Sequence, residues 1–258
     1  MNDNREAPAL SRTAPQAEVN GPLNVVILAA GMGTRLGRPM PKPLTPLADG
    51  RSILRRQLES LYATFGDRAR ITIVVGFRPE QIMAAAAEVR FAYNERFEHT
   101  NTSKSLLKAL RGIHSGGVLW LNGDVVFDPA LLAEITPVIE RDESFVCVNT
   151  ATVGEEEVKY TADLGGFITQ LSKSVVGGLG EAVGINYIAS ADRPTLAEHL
   201  EGCADSDYFE RGIESAIEVD RMRVLALDIS EFFVVEVDFA DDLERANVEV
   251  SKTVTSAA

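Results

Sequence analysis

Four apolar residues, Val25-Val26-Ile27-Leu28, run without polar interruption into a corner of small residues, Ala29-Ala30-Gly31-Met32-Gly33-Thr34. A short strand with no polar alternation is buried on both faces, which in a soluble chain points to a parallel sheet covered by helices. Glycines at its end let backbone N–H groups approach an anion closely, and Arg35 and Lys42 add positive charge nearby. The first strand therefore delivers an anion-binding loop, and everything after it must build the rest of an α/β layer structure.

The pattern that follows agrees. A helix is expected from about Ser52, with Leu54, Leu58, Leu61 and Phe65 on one stripe. Ile71 to Val75 reads as a second buried strand, and Pro79 opens a helix in the first-turn position that proline tolerates. A strand near Val89 to Tyr93, a helix from about Ser103 to Ile113, a buried strand at Val118 to Leu121 and a helix after Asp128-Pro129 continue the alternation. From Phe145 to about Ile188 short strands and glycines replace helices, which reads as a small antiparallel insertion over the sheet's edge. Helices return near Pro194 and Tyr208, strands at Val224 to Leu227 and Phe232 to Val237, and a last helix carries Leu243, Ala246 and Val250. One domain is expected from residue 23 to residue 258. Residues 1–22, polar and without periodicity, read as a disordered extension.

Charge and composition exclude several classes. The chain has 258 residues and a net charge of −13, with a pI near 4.8. Such a field repels a phosphate backbone, so no nucleic-acid partner is expected. No apolar run approaches the roughly 20 residues needed to cross a bilayer, so no membrane partner is expected either. Two cysteines, Cys147 and Cys203, make no disulfide framework, and the first residues lack a basic stretch followed by an apolar one. These features fit a cytoplasmic setting. His99, His114 and His199 stand in no metal spacing. Oligomeric state is left open, a homodimer included.

Two familiar phosphate loops do not fit the corner. A dinucleotide fingerprint wants a third glycine where Leu36 stands, and an acid after the second strand, where Gly76 and Phe77 stand. The P-loop's Gly-Lys followed by Ser or Thr is absent. The string Leu28-Ala29-Ala30-Gly31-Met32-Gly33-Thr34-Arg35-Leu36, a short spacer and Pro41-Lys42 instead closely resembles the signature loop of nucleotidyltransferases of the GT-A-like fold, the sugar-phosphate nucleotidyltransferase superfamily. The resemblance implies a Rossmann-like, mostly parallel sheet with helices on both faces. It also implies that residues 28–34 wrap a triphosphate while Arg35 and Lys42 meet its phosphate oxygens. A glycine turn with solvated basic residues is the plain alternative.

Nucleotidyl transfer places a divalent cation between phosphate oxygens and protein carboxylates, and in an open parallel sheet such ligands belong at the carboxyl ends of strands. Asp124 follows Trp120-Leu121-Asn122-Gly123, and Asp238 follows Val234-Val235-Glu236-Val237. Both strings resemble the family's metal motifs, which implies Mg²⁺ held by Asp124 and Asp238. Alternation puts Glu236 on the same face as Asp238, as a further ligand or a support. Helix capping by Asp238 and a turn at Asp124 are the ordinary readings.

Tyr93-Asn94-Glu95-Arg96-Phe97 with Asn101-Thr102-Ser103-Lys104-Ser105-Leu106 resembles a segment of phosphocholine cytidylyltransferases and their phosphonate-activating relatives. That resemblance implies CTP as donor and singles out Asn101, Ser103 and Ser105 for base and ribose, helix capping being the alternative. Gly180-Glu181-Ala182-Val183-Gly184-Ile185 and Asp207-Tyr208-Phe209-Glu210 also resemble this subgroup. Tyr208 and Phe209 beside Glu210 suit an ammonium head group, and Lys173 is a candidate for the acceptor's phosphate. The implied activity is CMP transfer to phosphocholine, an alkylphosphonate or a similar small phospho-acceptor, with release of pyrophosphate. A sugar- or polyol-phosphate transferase using CTP, UTP, dTTP or GTP stands beside it, as does a non-catalytic nucleotide sensor, although a sensor needs no pair of metal-binding aspartates.

Overall fold

The computed structural model describes residues 21–151, 154 and 157–256, with side chains in the last helix described to residue 252. Most of the expected N-terminal extension, residues 1–20, lies outside the described residues. Strand β1 (Leu23–Ala29) pairs in parallel with β2 (Ala69–Val75) on one side and β4 (Val118–Asn122) on the other, and β3 (Arg90–Tyr93) extends the sheet beyond β2. With β6 (Phe145–Asn149), β9 (Gly180–Ile188) and β10 (Leu225–Asp228), the order across the main sheet is β10-β6-β9-β4-β1-β2-β3. The expected α/β architecture is present.

Because β1 is apolar from Val25 to Ala29, its alternate residues serve two cores. Val25 and Ile27 pack with Leu54, Leu58 and Leu61 of α1 (Ile53–Phe65) and Leu131, Leu132 and Ile135 of α4 (Ala130–Glu140). Val26 and Leu28 face the other layer, with Leu106 and Leu110 of α3 (Thr102–Leu110), Leu196 and Leu200 of α5 (Arg193–Gly202), and Phe209 and Ile213 of α6 (Phe209–Asp220). Ser52 caps α1, its hydroxyl accepting from the Arg55 N–H at 3.2 Å. Pro79 opens α2 (Pro79–Ala85) at its first turn.

Two expectations need correction. The Gly184 to Ile188 run is not at the edge: β9 lies inside the main sheet, antiparallel to both β4 and β6. It is an apolar strand buried along most of its length, and Gly184, at φ +69°, interrupts its sequence pattern without ending it. Only β7 (Lys159–Ala162) and β8 (Ile168–Ser172) form the outlying hairpin, attached at Lys159 opposite Glu181. The second correction concerns the strand before Asp238. It does not join the parallel sheet; β11 (Val234–Glu236) pairs antiparallel with β5 (Val125–Phe127) in a separate two-stranded ribbon. Val126, Val235 and Val237 bury that ribbon against Leu243, Ala246 and Val250 of α7 (Ala240–Ser256). Among the described residues no helix is long and apolar enough to cross a membrane.

Candidate active site

The corner after β1 is held open by its own geometry. The Ala30 carbonyl accepts from the Phe77 N–H at 3.0 Å, pinning the loop to the end of β2. Gly33 then takes φ +60° before a short 3₁₀ turn at Thr34–Leu36, and a Cβ there would lie 3.0 Å from Lys42 Cβ. Glycine is thus required both by the left-handed backbone and by the close approach of Lys42. Among the described residues no protein acceptor takes the N–H groups of Gly31, Met32 or Gly33. Leu28, Ala29, Gly31, Gly33, Thr34 and Arg35 line one wall of a cavity of about 810 Å³. Ala30 is buried behind this wall and Met32 faces solvent.

Lys42 opens a second 3₁₀ turn, Lys42–Leu44, after Pro41, and its side chain is buried. Its Nζ donates to Asp124 Oδ2 at 2.6 Å and to Asp238 Oδ1 at 2.5 Å. Asp238 Oδ2 in turn meets Arg35 Nη1 at 2.9 Å. Burial alone would lower the lysine's proton affinity, but the two aspartates outweigh it, and the Lys42 pKa is raised. The two acids converge because β5 and β11 pair: the Val237 N–H donates to the Asp124 carbonyl at 3.0 Å. Asp242 Oδ2 accepts from the Asp238 and Phe239 N–H groups at 3.2 and 2.9 Å, fixing the start of α7 behind them.

Glu236 lines the same cavity, and its Oε1 accepts from Asn122 Nδ2 at 3.1 Å. Burial, the charge of Asp124 and that of Glu210 hold its carboxyl well above the usual carboxylate range. Gly184 makes room for this pair, since a Cβ there would strike both Glu236 Oε1 and Asn122 Nδ2. The donor set suits a hard divalent cation: Asp124 and Asp238 offer only carboxylate oxygens, already focused on one point of positive charge, with Glu236 on the same wall. Among the described residues no three such side chains are gathered as a complete cage. Mg²⁺ does not need one, because it keeps several waters and takes phosphate oxygens.

Tyr208, Glu210 and Lys173 line the same cavity, with Lys173 Nζ 5.0 Å from the centre of the Tyr208 ring. Glu210 is 8% exposed, its Oε2 accepts no hydrogen bond among the described residues, and burial pushes its pKa up to about 7. Phe209 departs from the expected aromatic pair: its ring is buried and packs edge-on against Trp120, centroids 5.5 Å apart. Asn101 lines the cavity while capping α3, its Oδ1 accepting from the Thr102 N–H at 2.8 Å. Ser103 and Ser105 do not reach it. Both are buried, Ser105 Oγ accepting from Asn94 Nδ2 at 3.0 Å, because α3 is packed between the main sheet and helices α5 and α6.

Among the wall residues that sequence reasoning missed are Asn122, Glu157, Glu181 and Arg245. Asn122, Glu181 and Arg245 stand inside strings that resemble the family, so a signal existed. Glu157 has none, being set by the path of the segment before β7.

Residues 25–202 match the family described as the MobA-like NTP transferase domain, more than half of the chain. The chain belongs to that family, one of nucleotidyltransferases. Several relatives and structures bear on what this MobA-like NTP transferase domain does. It is 38% identical over 123 residues to the CMP-5'-(3-aminopropyl)phosphonate synthase of Streptomyces rubellomurinus, covering 44% of this chain and 19% of that protein. It is 32% identical over 131 residues to the bifunctional protein GlmU of a Picosynechococcus species, covering 49% and 28%. The matches thus span less than a third of these relatives' own lengths. The CTP:phosphocholine cytidylyltransferase LicC of Streptococcus pneumoniae superposes with TM-score 0.72 at 17% identity, over 89% of this chain and 99% of that one. A UDP-glucose pyrophosphorylase gives 0.71 at 14% identity, over 90% and 99%. These two share the fold.

Proposed function

We propose that this MobA-like NTP transferase domain moves CMP from CTP to a small acceptor bearing a phosphate or phosphonate. The observation that carries the reading is the single Lys42 ammonium held between Asp124 and Asp238 beside the glycine corner. An ammonium has three N–H bonds; two serve the aspartates and the third remains for a phosphate oxygen. The N–H groups of Gly31 to Gly33 and the Arg35 guanidinium bind the β- and γ-phosphates and favour charge that builds on the leaving pyrophosphate. An acceptor oxygen attacks the α-phosphorus in line, the bond to the bridging oxygen breaks, and pyrophosphate departs without a covalent enzyme intermediate. The protein's part is alignment and charge neutralisation. Asp124 and Asp238, with Glu236 as support, would hold Mg²⁺, which supplies neutralisation of phosphate charge when bound.

CTP as donor is supported by the cytidylyl relative from S. rubellomurinus and by the segment from Tyr93 to Ser105. The similarity to GlmU favours a second reading, a sugar-phosphate acceptor with another nucleotide. A matrix of the common nucleoside triphosphates against amino-alcohol phosphates, phosphonates and sugar phosphates, read by pyrophosphate release, tests both. CTP with an amino-alcohol phosphate or a phosphonate should give the highest rate. Faster release with a sugar phosphate establishes the second reading, and binding without release under every pairing leaves a nucleotide sensor.

A further inference from the structure

Two buried oxygens on the cavity wall have nothing to accept. Glu210 Oε2 and Asn122 Oδ1 are both sealed from solvent and find no donor among the described residues. Both lie on the wall of one cavity together with Glu236, which takes the Asn122 amide N–H at 3.1 Å. A buried acceptor without a donor is costly, so this end of the cavity is built for a ligand that brings N–H bonds and positive charge.

The aromatic surface points the same way. A trimethylammonium group has no N–H and is recognised by ring faces. Here the Tyr208 ring already lies under the Lys173 ammonium at 5.0 Å, and the Phe209 ring packs edge-on against Trp120. Both rings therefore already have a partner within the chain. A primary ammonium, by contrast, brings the N–H bonds that unpartnered oxygens such as these lack.

We infer that the acceptor end selects a primary ammonium head group over a trimethylated one, with Glu210 and Asn122 as the specificity-determining residues. The inference rests on the transfer reaction proposed above and narrows its acceptor. Sites built to hydrogen-bond an N–H reject analogues that lack it far more strongly than apolar pockets reject an extra methyl.

The test uses the full chain with CTP and Mg²⁺ and four acceptors: phosphoethanolamine, 2-aminoethylphosphonate, phosphocholine and ethyl phosphate. Pyrophosphate release gives kcat/KM for each. The unmodified chain should favour phosphoethanolamine over phosphocholine by on the order of 10²-fold, and Glu210→Leu should shrink that ratio to within a few-fold, mainly through KM for the amine. Phosphocholine used as well as or better than phosphoethanolamine by the unmodified chain overturns this inference alone, and that comparison needs no variant to fold. A ratio unchanged in Glu210→Leu removes Glu210 from the selection. No release with any of the four overturns the proposed reaction along with it.

Discussion

Lys42 and Asp238, 196 positions apart in the chain, are joined by a 2.5 Å hydrogen bond at the foot of the glycine corner. The bond ties the first strand's loop to the ribbon before the last helix, and Asp124 completes it from the middle of the chain at 2.6 Å. The corner proposed to bind phosphate and the acids proposed to hold a cation are therefore one connected unit.

Replacing either acid with its amide should separate chemistry from folding. Asp124→Asn and Asp238→Asn keep their shape and lie near the surface of the cavity, each about one-fifth exposed. Turnover should fall by about 10²-fold or more while the melting temperature moves by only a few degrees. Initial rates at saturating Mg²⁺ beside a thermal melt check this; an unchanged rate takes that residue out of the site.

Removing the lysine should have a different signature. Lys42→Met leaves two carboxylates facing each other without their shared cation, so the fold should weaken and added Mg²⁺ should raise the melting temperature more in the variant than in the unmodified chain. The readout is a Mg²⁺ titration of thermal stability with no substrate present. Equal shifts in both proteins would show that the aspartates do not bind the ion together.

The glycine corner offers a paired comparison. Gly33→Ala puts a Cβ at φ +60° and within 3.0 Å of Lys42 Cβ, which should cost about 1–2 kcal/mol and raise KM for the nucleotide. Gly31 has open space around it and no positive φ, so Gly31→Ala should leave the melting temperature nearly unchanged. Denaturant titration of both variants side by side measures the difference.

Glu210 should make stability depend on pH in an unusual direction. Its pKa is raised from 4.5 to about 7 by burial, against the opposing charge of Lys173 and with Glu236 nearby. The penalty for ionising it is absent below about pH 4.5, grows up to about pH 7 and then stays constant. Glu210→Gln should therefore stabilise the ligand-free fold at pH 8 by up to about 3 kcal/mol and have little effect at pH 4. Melts at the two pH values decide it. Identical differences at both would show that Glu210 ionises normally.

Much of this could be read from residue order. Periodicity in Leu54, Leu58, Leu61 and Phe65 marks α1 because a helix's buried stripe is written within a dozen residues. The corner from Leu28 to Leu36 is equally local, and so were the two aspartates, each recognisable from its own few neighbours. Ser103 and Ser105 show the limit within a single element, where a shared sequence segment suggested a shared surface and packing of α3 between the sheet and helices α5 and α6 buried them both.

Residue order alone carried the α/β class, the glycine corner and the two candidate acids, since each is written in a short string of near neighbours. Pairing partners were settled only in three dimensions: β9 slips between β4 and β6, and β11 leaves the main sheet to join β5. A strand's own residues state which faces are buried but not which edge it will meet, because that edge belongs to a distant part of the chain. The convergence of Asp124 with Asp238 follows from the pairing of β11 with β5.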